Sequence, residues 1–324
     1  METDKILWGL IIQGPTISYG QGPNVNKEGF NSFQTIFENI KNFIPFVSKI
    51  VISTWDQSNL NFQTYTQDDR NIFLIESIPP KNSYDNRLKQ FISSYAGVNF
   101  IKKNFNDVTH VLKIRTDQLI DPSIIKWLSD IYLYSNTGSD LLRYNQEDKI
   151  IFSDSLISTN FYLGDFIFAG KINDIYTFCK ANLFKDNLHP TIGIDYILKY
   201  LRYTDKDFYQ YFFNIVPIAF QISNNKQDFF NNNWLYLYKN RFSVIPQKYF
   251  DSIVWRGKKI NEIIPNYKSS FQFFEEWQTL QEYKFSKSKK VSYLKFNKRT
   301  LSRIFYIYKI KVKKYLTYHL KKNG

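Results

Sequence analysis

Three residues at alternate positions, Lys113, Arg115 and Asp117, stand where an apolar run stops. Val111, Leu112 and Ile114 give way to Arg115-Thr116-Asp117, and a proline follows at Pro122. Aliphatic residues yielding abruptly to polar ones mark a buried parallel strand that ends at a sheet's carboxyl edge, where open α/β sheets bind ligands. Alternate residues of an extended backbone share a face, so two cations and a carboxylate face one crevice. That set suits a phosphate and a metal. The competing expectation is an ion-paired strand edge with no ligand.

Two further carboxylates are candidates for moving a proton. Asp165 lies inside the apolar run from Phe161 to Gly170, and a carboxylate there is either paired or functional, because a lone buried charge is expensive. It is the first candidate for the base that deprotonates an acceptor hydroxyl, or for acceptor binding. Asp195 is the second, early in a helix after Pro190-Thr191-Ile192-Gly193; its plainer role there is to complement the helix dipole. The histidines, His110, His189 and His319, have no metal-binding spacing, and a single cysteine, Cys179, leaves no intramolecular disulfide framework and no cysteine-built zinc site.

The elements that must position these residues alternate between strand and helix. Strands are expected at Ile6 to Ile12, Val47 to Ser53, Ile72 to Ile75, around Val111, at Lys149 to Phe152, Phe161 to Phe168 and Phe242 to Ile245. Helices are expected at Phe30 to Phe43, Tyr84 to Lys103, Pro122 to Tyr134, Asn173 to Ala181, Ile192 to Tyr203 and Ser269 to Tyr283. From Phe208 to Ile264 the periodic signal fades. The alternation predicts an α/β fold, a mostly parallel sheet with crossover helices on both faces.

Charge divides the chain. It carries 43 Lys+Arg against 29 Asp+Glu, and 14 of those bases, with no acid, fall within residues 284–322. The remainder is balanced at 29 of each sign. Residues 1–283 therefore read as a neutral globular domain, and 284–324 as a basic tail with a separate electrostatic task. Within the tail Leu301, Ile304, Phe305, Tyr308, Val312, Tyr315 and Leu316 form one apolar helical stripe, flanked by Arg299, Arg303, Lys309, Lys313 and Lys314. Such a helix suits the interface of an anionic membrane, or packing on the body or on a partner subunit. A neutral body without a helix-turn-helix, zinc or RNA-binding motif argues against nucleic acid as the partner. The seven-residue apolar run Ile6 to Ile12 is short for a signal-peptide core, and no apolar stretch reaches eighteen residues.

Several short motifs occur in a telling order: Ile11-Ile12-Gln13-Gly14-Pro15, Ser53-Thr54-Trp55, Asn86-Arg87 with Ser93-Ser94 and Gly97, Lys113-Ile114-Arg115-Thr116-Asp117, and Gly164-Asp165-Phe166 with Gly170. Over roughly residues 5–200 the chain resembles the WavE-type lipopolysaccharide-synthesis family of bacterial glycosyltransferases. The resemblance implies a GT-A-like, Rossmann-related fold and a nucleotide-sugar donor. It also implies an acceptor that is a growing surface glycan (capsule, O-antigen or lipopolysaccharide), free or lipid-linked, and a cytoplasmic protein held on the inner face of the membrane. A non-catalytic carbohydrate-binding protein is the other class the fold would allow.

Under that resemblance the turn Gln13, Gly14, Pro15 and Thr16 offers backbone donors, an amide and a close approach to a base or ribose. It is otherwise a plain strand-to-helix turn. Trp55, beside Asp56, stacks on the nucleoside or belongs to the core. Asn86 and Arg87 start a helix, where Arg87 clamps a phosphate or pairs with Asp85. Lys113 and Arg115 face the diphosphate. Asp117 takes the place of the last carboxylate of the GT-A metal motif, with Arg115 where that motif has its first acid. A single carboxylate with diphosphate oxygens and water can hold Mg²⁺ or Mn²⁺. Alternatively Arg115 supplies the positive charge itself, with no metal.

Overall fold

The segment Trp8–Gln13 is apolar at consecutive positions, a pattern a strand satisfies only when both faces of its sheet are covered. All six residues are buried. In the computed structural model, which describes residues 6–18, 29–55, 71–78, 86–134, 149–156, 163–184, 188, 192–213, 241–264 and 271–273, this strand lies near the middle of a seven-stranded sheet. The order across the sheet is Phe242–Val244, Ile150–Phe152, Phe168–Lys171, His110–Arg115, Trp8–Gln13, Lys49–Trp55 and Ile72–Ser77. Phe168–Lys171 alone in this sheet runs antiparallel, against both its neighbours; every other pairing is parallel. The α/β layout expected from the sequence, a mostly parallel sheet between helices, is the layout observed.

Helices cover both faces. Ser53, paired with Gln13, donates its hydroxyl to the Ser93 carbonyl of helix Asn86–Asn104 at 2.6 Å. On that same face Gly97 packs on Ile11, where an added methyl would come within 2.8 Å. Trp8 is of opposite parity to Gln13, so it points the other way, and its indole N–H donates to Ser129 of helix Ile124–Tyr134 at 2.8 Å. The core between these layers is continuous, from Leu10, Ile12 and Ile52 through Val111, Leu112 and Ile114 to Phe152, Phe168 and Phe178.

Element limits differ from expectation for local reasons. The first long helix begins at Phe33, because Phe30–Asn31 pairs with Ile17–Ser18 and the Asn31 side chain accepts the Phe33 N–H. The strand expected over Phe161 to Phe168 instead occupies Phe168–Lys171; Leu163 makes an isolated bridge to Ser155, and residues 164–167 form a bend. Where a helix was expected from Ser269, Phe271–Gln272 pairs with Ser155–Leu156, and residues 274–283 lie outside the described residues. In the stretch without periodic signal the fold places the helix Lys206–Phe213 and a two-residue hairpin, Val254–Trp255 with Lys258–Lys259. The basic tail, 284–324, lies outside the described residues as well. No helix among the described residues is long and apolar enough to cross a membrane.

Candidate functional site

The central strand His110–Arg115 delivers its last residue to the carboxyl edge of the sheet, and the chain then turns through Thr116-Asp117. Asp117 is 1% exposed. Its carboxylate takes a two-pronged contact from Arg115, Nε to Oδ1 at 2.9 Å and Nη2 to Oδ2 at 3.1 Å. Oδ2 also accepts the Trp255 indole N–H and Arg256 Nε, each at 3.0 Å. These last two come from the hairpin turn, which is laid against the Asp117 segment by the pairing of Val254–Trp255 with Gln118–Leu119. The Arg256 backbone N–H donates to the Asp117 carbonyl at 2.9 Å.

Burial by itself would raise the Asp117 carboxyl; the charge and hydrogen bonds of Arg115, joined by those of Trp255 and Arg256, hold it well below the usual carboxylate range. The Arg115 and Arg256 side chains remain 24% and 26% exposed. A buried anion thus fixes two cations that are each about a quarter exposed. Aromatic faces complete their setting: the Arg115 guanidinium lies 5.7 Å from the Trp255 ring and 5.9 Å from Phe166, and that of Arg256 lies 5.2 Å from Trp255.

This arrangement does not suit the divalent cation expected on Asp117. Its two oxygens already receive four N–H donors, three of them from guanidiniums, so a metal would displace those bonds beside two fixed positive charges. Among the described residues no group of three or more His, Cys, Asp or Glu is placed to hold a metal. The outer edges of the guanidiniums suit an anion instead.

Beside this cluster lies a second polar group, under the bend that contains Asp165. Lys113 has no solvent exposure; its ammonium donates to the Asp165 carbonyl at 2.9 Å and sits 4.9 Å from the Phe168 ring centroid. It therefore supports the bend and does not reach the crevice. Burial pushes Lys113 down to about 7, against the opposing charge of Asp165. Asp165 itself is half-buried, its neighbour Phe166 packed edge-on against Trp255 with ring centroids 5.0 Å apart. Beneath it is Asp154, 1% exposed, accepting the Ser153 hydroxyl at 2.6 Å. Burial pushes Asp154 up to about 7; the Ser153 bond opposes this and the Asp165 charge adds to it. Gly164 is the lid: its N–H donates to the Asp154 carbonyl at 2.8 Å, and a methyl there would overlap Asp154 Oδ1 and approach Ser153 Oγ to 2.6 Å.

The remaining expected residues fall in three places. Gln13, Gly14, Pro15 and Thr16 abut the same edge, locked by Thr116, whose N–H donates to the Gln13 carbonyl and whose hydroxyl donates to the Pro15 carbonyl. Gly14 has φ 135° and gives its N–H to the Ser53 carbonyl; the close approach it permits is to the Thr116 hydroxyl, 2.7 Å from where a Cβ would stand. Trp55, the last residue of strand Lys49–Trp55, is 8% exposed. Asn86 and Arg87 open their helix as expected, with side chains outside the described residues, as are Asp56 and Asp85. Asp195 is fully buried, accepts the Leu188 N–H at 2.6 Å and pairs with Lys199 at 3.0 Å, which gives it a structural setting. The next residue, Tyr196, lies close enough to contribute to the electrostatic surroundings of Arg115.

Sequence reading missed Trp255, Arg256 and Asp154. Trp255-Arg256-Gly257 between Val254 and Lys258 is a two-residue hairpin signal, weak because Arg stands where Asn or Asp is usual. Asp154 stands two residues past the end of the buried strand Ile150–Phe152, as Asp117 does past His110–Arg115.

No protein-family model matches the chain, and no curated protein does. Solved structures that superpose include the 4-diphosphocytidyl-2C-methyl-D-erythritol synthase of Anaerococcus prevotii, at 10% identity over 63% of this chain and 84% of that one, with a TM-score of 0.34. A cytidylyltransferase of Leptospira borgpetersenii superposes at 14% identity over 95% of each chain, also with a TM-score of 0.34. At these scores the two superpositions assign no activity to this chain.

Proposed function

We propose that the protein is a glycosyltransferase of bacterial surface-glycan assembly that transfers a sugar from a nucleotide-sugar donor. The observation that carries this reading is the pair of guanidiniums fixed by buried Asp117 at the carboxyl edge of the central strand. Glycosyl transfer leaves growing negative charge on the departing phosphate as the sugar gains positive character, and fixed cations aimed there stabilise that change without reorganising. Asp165, half-buried on the adjoining bend, is the group proposed to take the proton of the acceptor hydroxyl in an inverting reaction. The motif order resembles that of the WavE-type family and supports the same class, though no family model matches the chain. The basic tail is proposed to hold the enzyme at an anionic membrane, where a lipid-linked acceptor resides.

Thermal shift of the full chain against UDP, GDP, CMP and dTDP tests the donor site first. One nucleotide should raise the melting temperature, and the matching nucleotide sugar should be turned over with release of that nucleotide. Asp165→Asn should depress turnover at least 100-fold while leaving nucleotide affinity within about threefold. Pyrophosphate release from a nucleoside triphosphate and a sugar 1-phosphate, with no transfer from the nucleotide sugar, would replace this reading by nucleotidyl transfer.

A further inference from the structure

We infer that Arg256 joins Arg115 in binding the donor's diphosphate directly, the two guanidiniums standing in for a divalent cation; this rests on the nucleotide-sugar reading above. Four observations carry it. Asp117 is 1% exposed and already accepts four N–H donors, one on Oδ1 and three on Oδ2, from Arg115, Trp255 and Arg256. Each guanidinium spends only its inner edge on that carboxylate. Arg256 donates through Nε alone, and among the described residues nothing accepts from its two terminal nitrogens or from Arg115 Nη1. The charge also leans the right way, for two guanidiniums share the one carboxylate they bond to, and the Asp165 charge bears on Arg115 only from a distance.

The backbone gives the fourth. Arg256 has φ 52°, the only positive φ found outside glycine among the described residues, and Gly257 follows at φ 75°. A tight hairpin needs both central residues in this region, and Asn, Asp or Gly is the usual first choice. An arginine held in a conformation that L residues rarely adopt points to a side chain wanted at that spot. Its position is fixed twice over, by its own N–H on the Asp117 carbonyl and by Nε on the Asp117 carboxylate, both within 3.0 Å. A planar fork fixed in this way matches phosphate oxygens, and two such forks side by side match a diphosphate.

The test is calorimetric titration of the full chain with inorganic pyrophosphate and with UDP, GDP, CDP and dTDP, each in EDTA and each with Mn²⁺. Pyrophosphate and one of the nucleotides should bind with affinities that agree within twofold between the two conditions. Arg256→Gln should weaken both ligands at least tenfold, and Arg256→Lys, which keeps the charge without the fork, by an intermediate factor. Binding that vanishes in EDTA and returns with Mn²⁺ overturns the inference and leaves the donor reading intact. Arg256→Gln binding as tightly as the parent does the same. If no probe binds in either condition, the diphosphate site and the donor reading fall together.

Discussion

Two buried aspartates, Asp117 and Asp154, are each 1% exposed at the carboxyl side of the same sheet, yet their surroundings drive them in opposite directions. Asp117 meets two guanidiniums and an indole N–H and stays ionised. Asp154 meets one hydroxyl and the negative charge of Asp165, and holds its proton up to about 7. Burial therefore does not decide the state of a carboxyl; the donors that burial brings with it do. The first site can present fixed positive charge to a ligand, whereas the second is a neutral prop beneath the bend that carries Asp165.

Asp117→Asn should break the comparison most severely. It leaves Arg115 and Arg256 facing a neutral amide, and removing one partner of a buried ion pair costs about 3–5 kcal/mol. At about 1.5 °C per kcal/mol for a chain of this size, the melting temperature should fall by roughly 4–8 °C in a calorimetric scan. Because its folded pKa is depressed, the Asp117 contribution is present above the ordinary carboxylate range and lost as pH falls through the folded value. The deficit of the variant should accordingly shrink in strong acid. A shift below about 2 °C at neutral pH would mean that Asp117 does not organise the hairpin.

Gly164→Ala probes the other site by volume. The added methyl overlaps Asp154 Oδ1, and overpacking of this kind costs about 1–3 kcal/mol, here about 2–3 because Ser153 blocks retreat on one side. Adding Asp154→Ala should restore most of that loss, and a double-mutant cycle by chemical denaturation would measure the coupling. Additive losses would show that the glycine serves the chain path and not Asp154.

The two sites also differ in how far the sequence exposed them. Lys113, Arg115 and Asp117 announced themselves by alternation at a strand end, and the fold class followed from strands and helices taking turns. Alternation cannot reveal a partner 139 residues away, so Arg256 was invisible until the hairpin was placed. Nor could it tell that Lys113 turns under the Asp165 bend while Arg115 reaches solvent. The Phe161 to Phe168 run read as a strand because its residues are apolar; in fact Leu163 and Ile167 are buried by a bend, a burial that hydrophobicity alone does not distinguish from a strand's. Asp195 looked like a candidate base by position and is instead tied to Lys199, four residues after it, and to the Leu188 N–H, seven residues before it.

Asp154→Asn sharpens the contrast through pH. The ordinary carboxyl value is about 3.9, so between about pH 4 and 7 the folded parent carries a proton at Asp154 that the unfolded chain has lost. This residue makes the parent less stable as pH rises through that window. The amide removes the slope, so the variant should gain roughly 2 kcal/mol on the parent between pH 5 and pH 8 by denaturant titration. Lys113 acts with the opposite slope higher up. Its folded value near 7 lies below the ordinary lysine value of about 10.4, so the unfolded chain binds the extra proton in between and stability rises from pH 7 to 10. A parent whose stability rises through pH 5 to 8 with Asp154→Asn following in parallel would show that Asp154 is ionised in the fold.

The smallest effect expected is that of Trp255→Phe. The substitution deletes one of the four N–H donors on Asp117 and keeps an aromatic ring against Phe166 and beneath the two guanidiniums. A hydrogen bond to a charged group contributes about 1.5–3 kcal/mol, but the three guanidinium bonds remain to satisfy the same oxygens, so a loss of about 1 kcal/mol is expected. That corresponds to about 1–2 °C in the melt. Since Arg115 and Arg256 keep their places, diphosphate affinity should change by less than about threefold, which is under about 1 kcal/mol. The result separates two ways of building the hub. If the guanidiniums hold Asp117 on their own, the indole is a supporting donor and the variant loses stability without losing ligand. If Trp255→Phe instead matches the loss of Asp117→Asn in both melt and titration, then the indole is what seats the hairpin, and the two arginines reach the carboxylate only because it does.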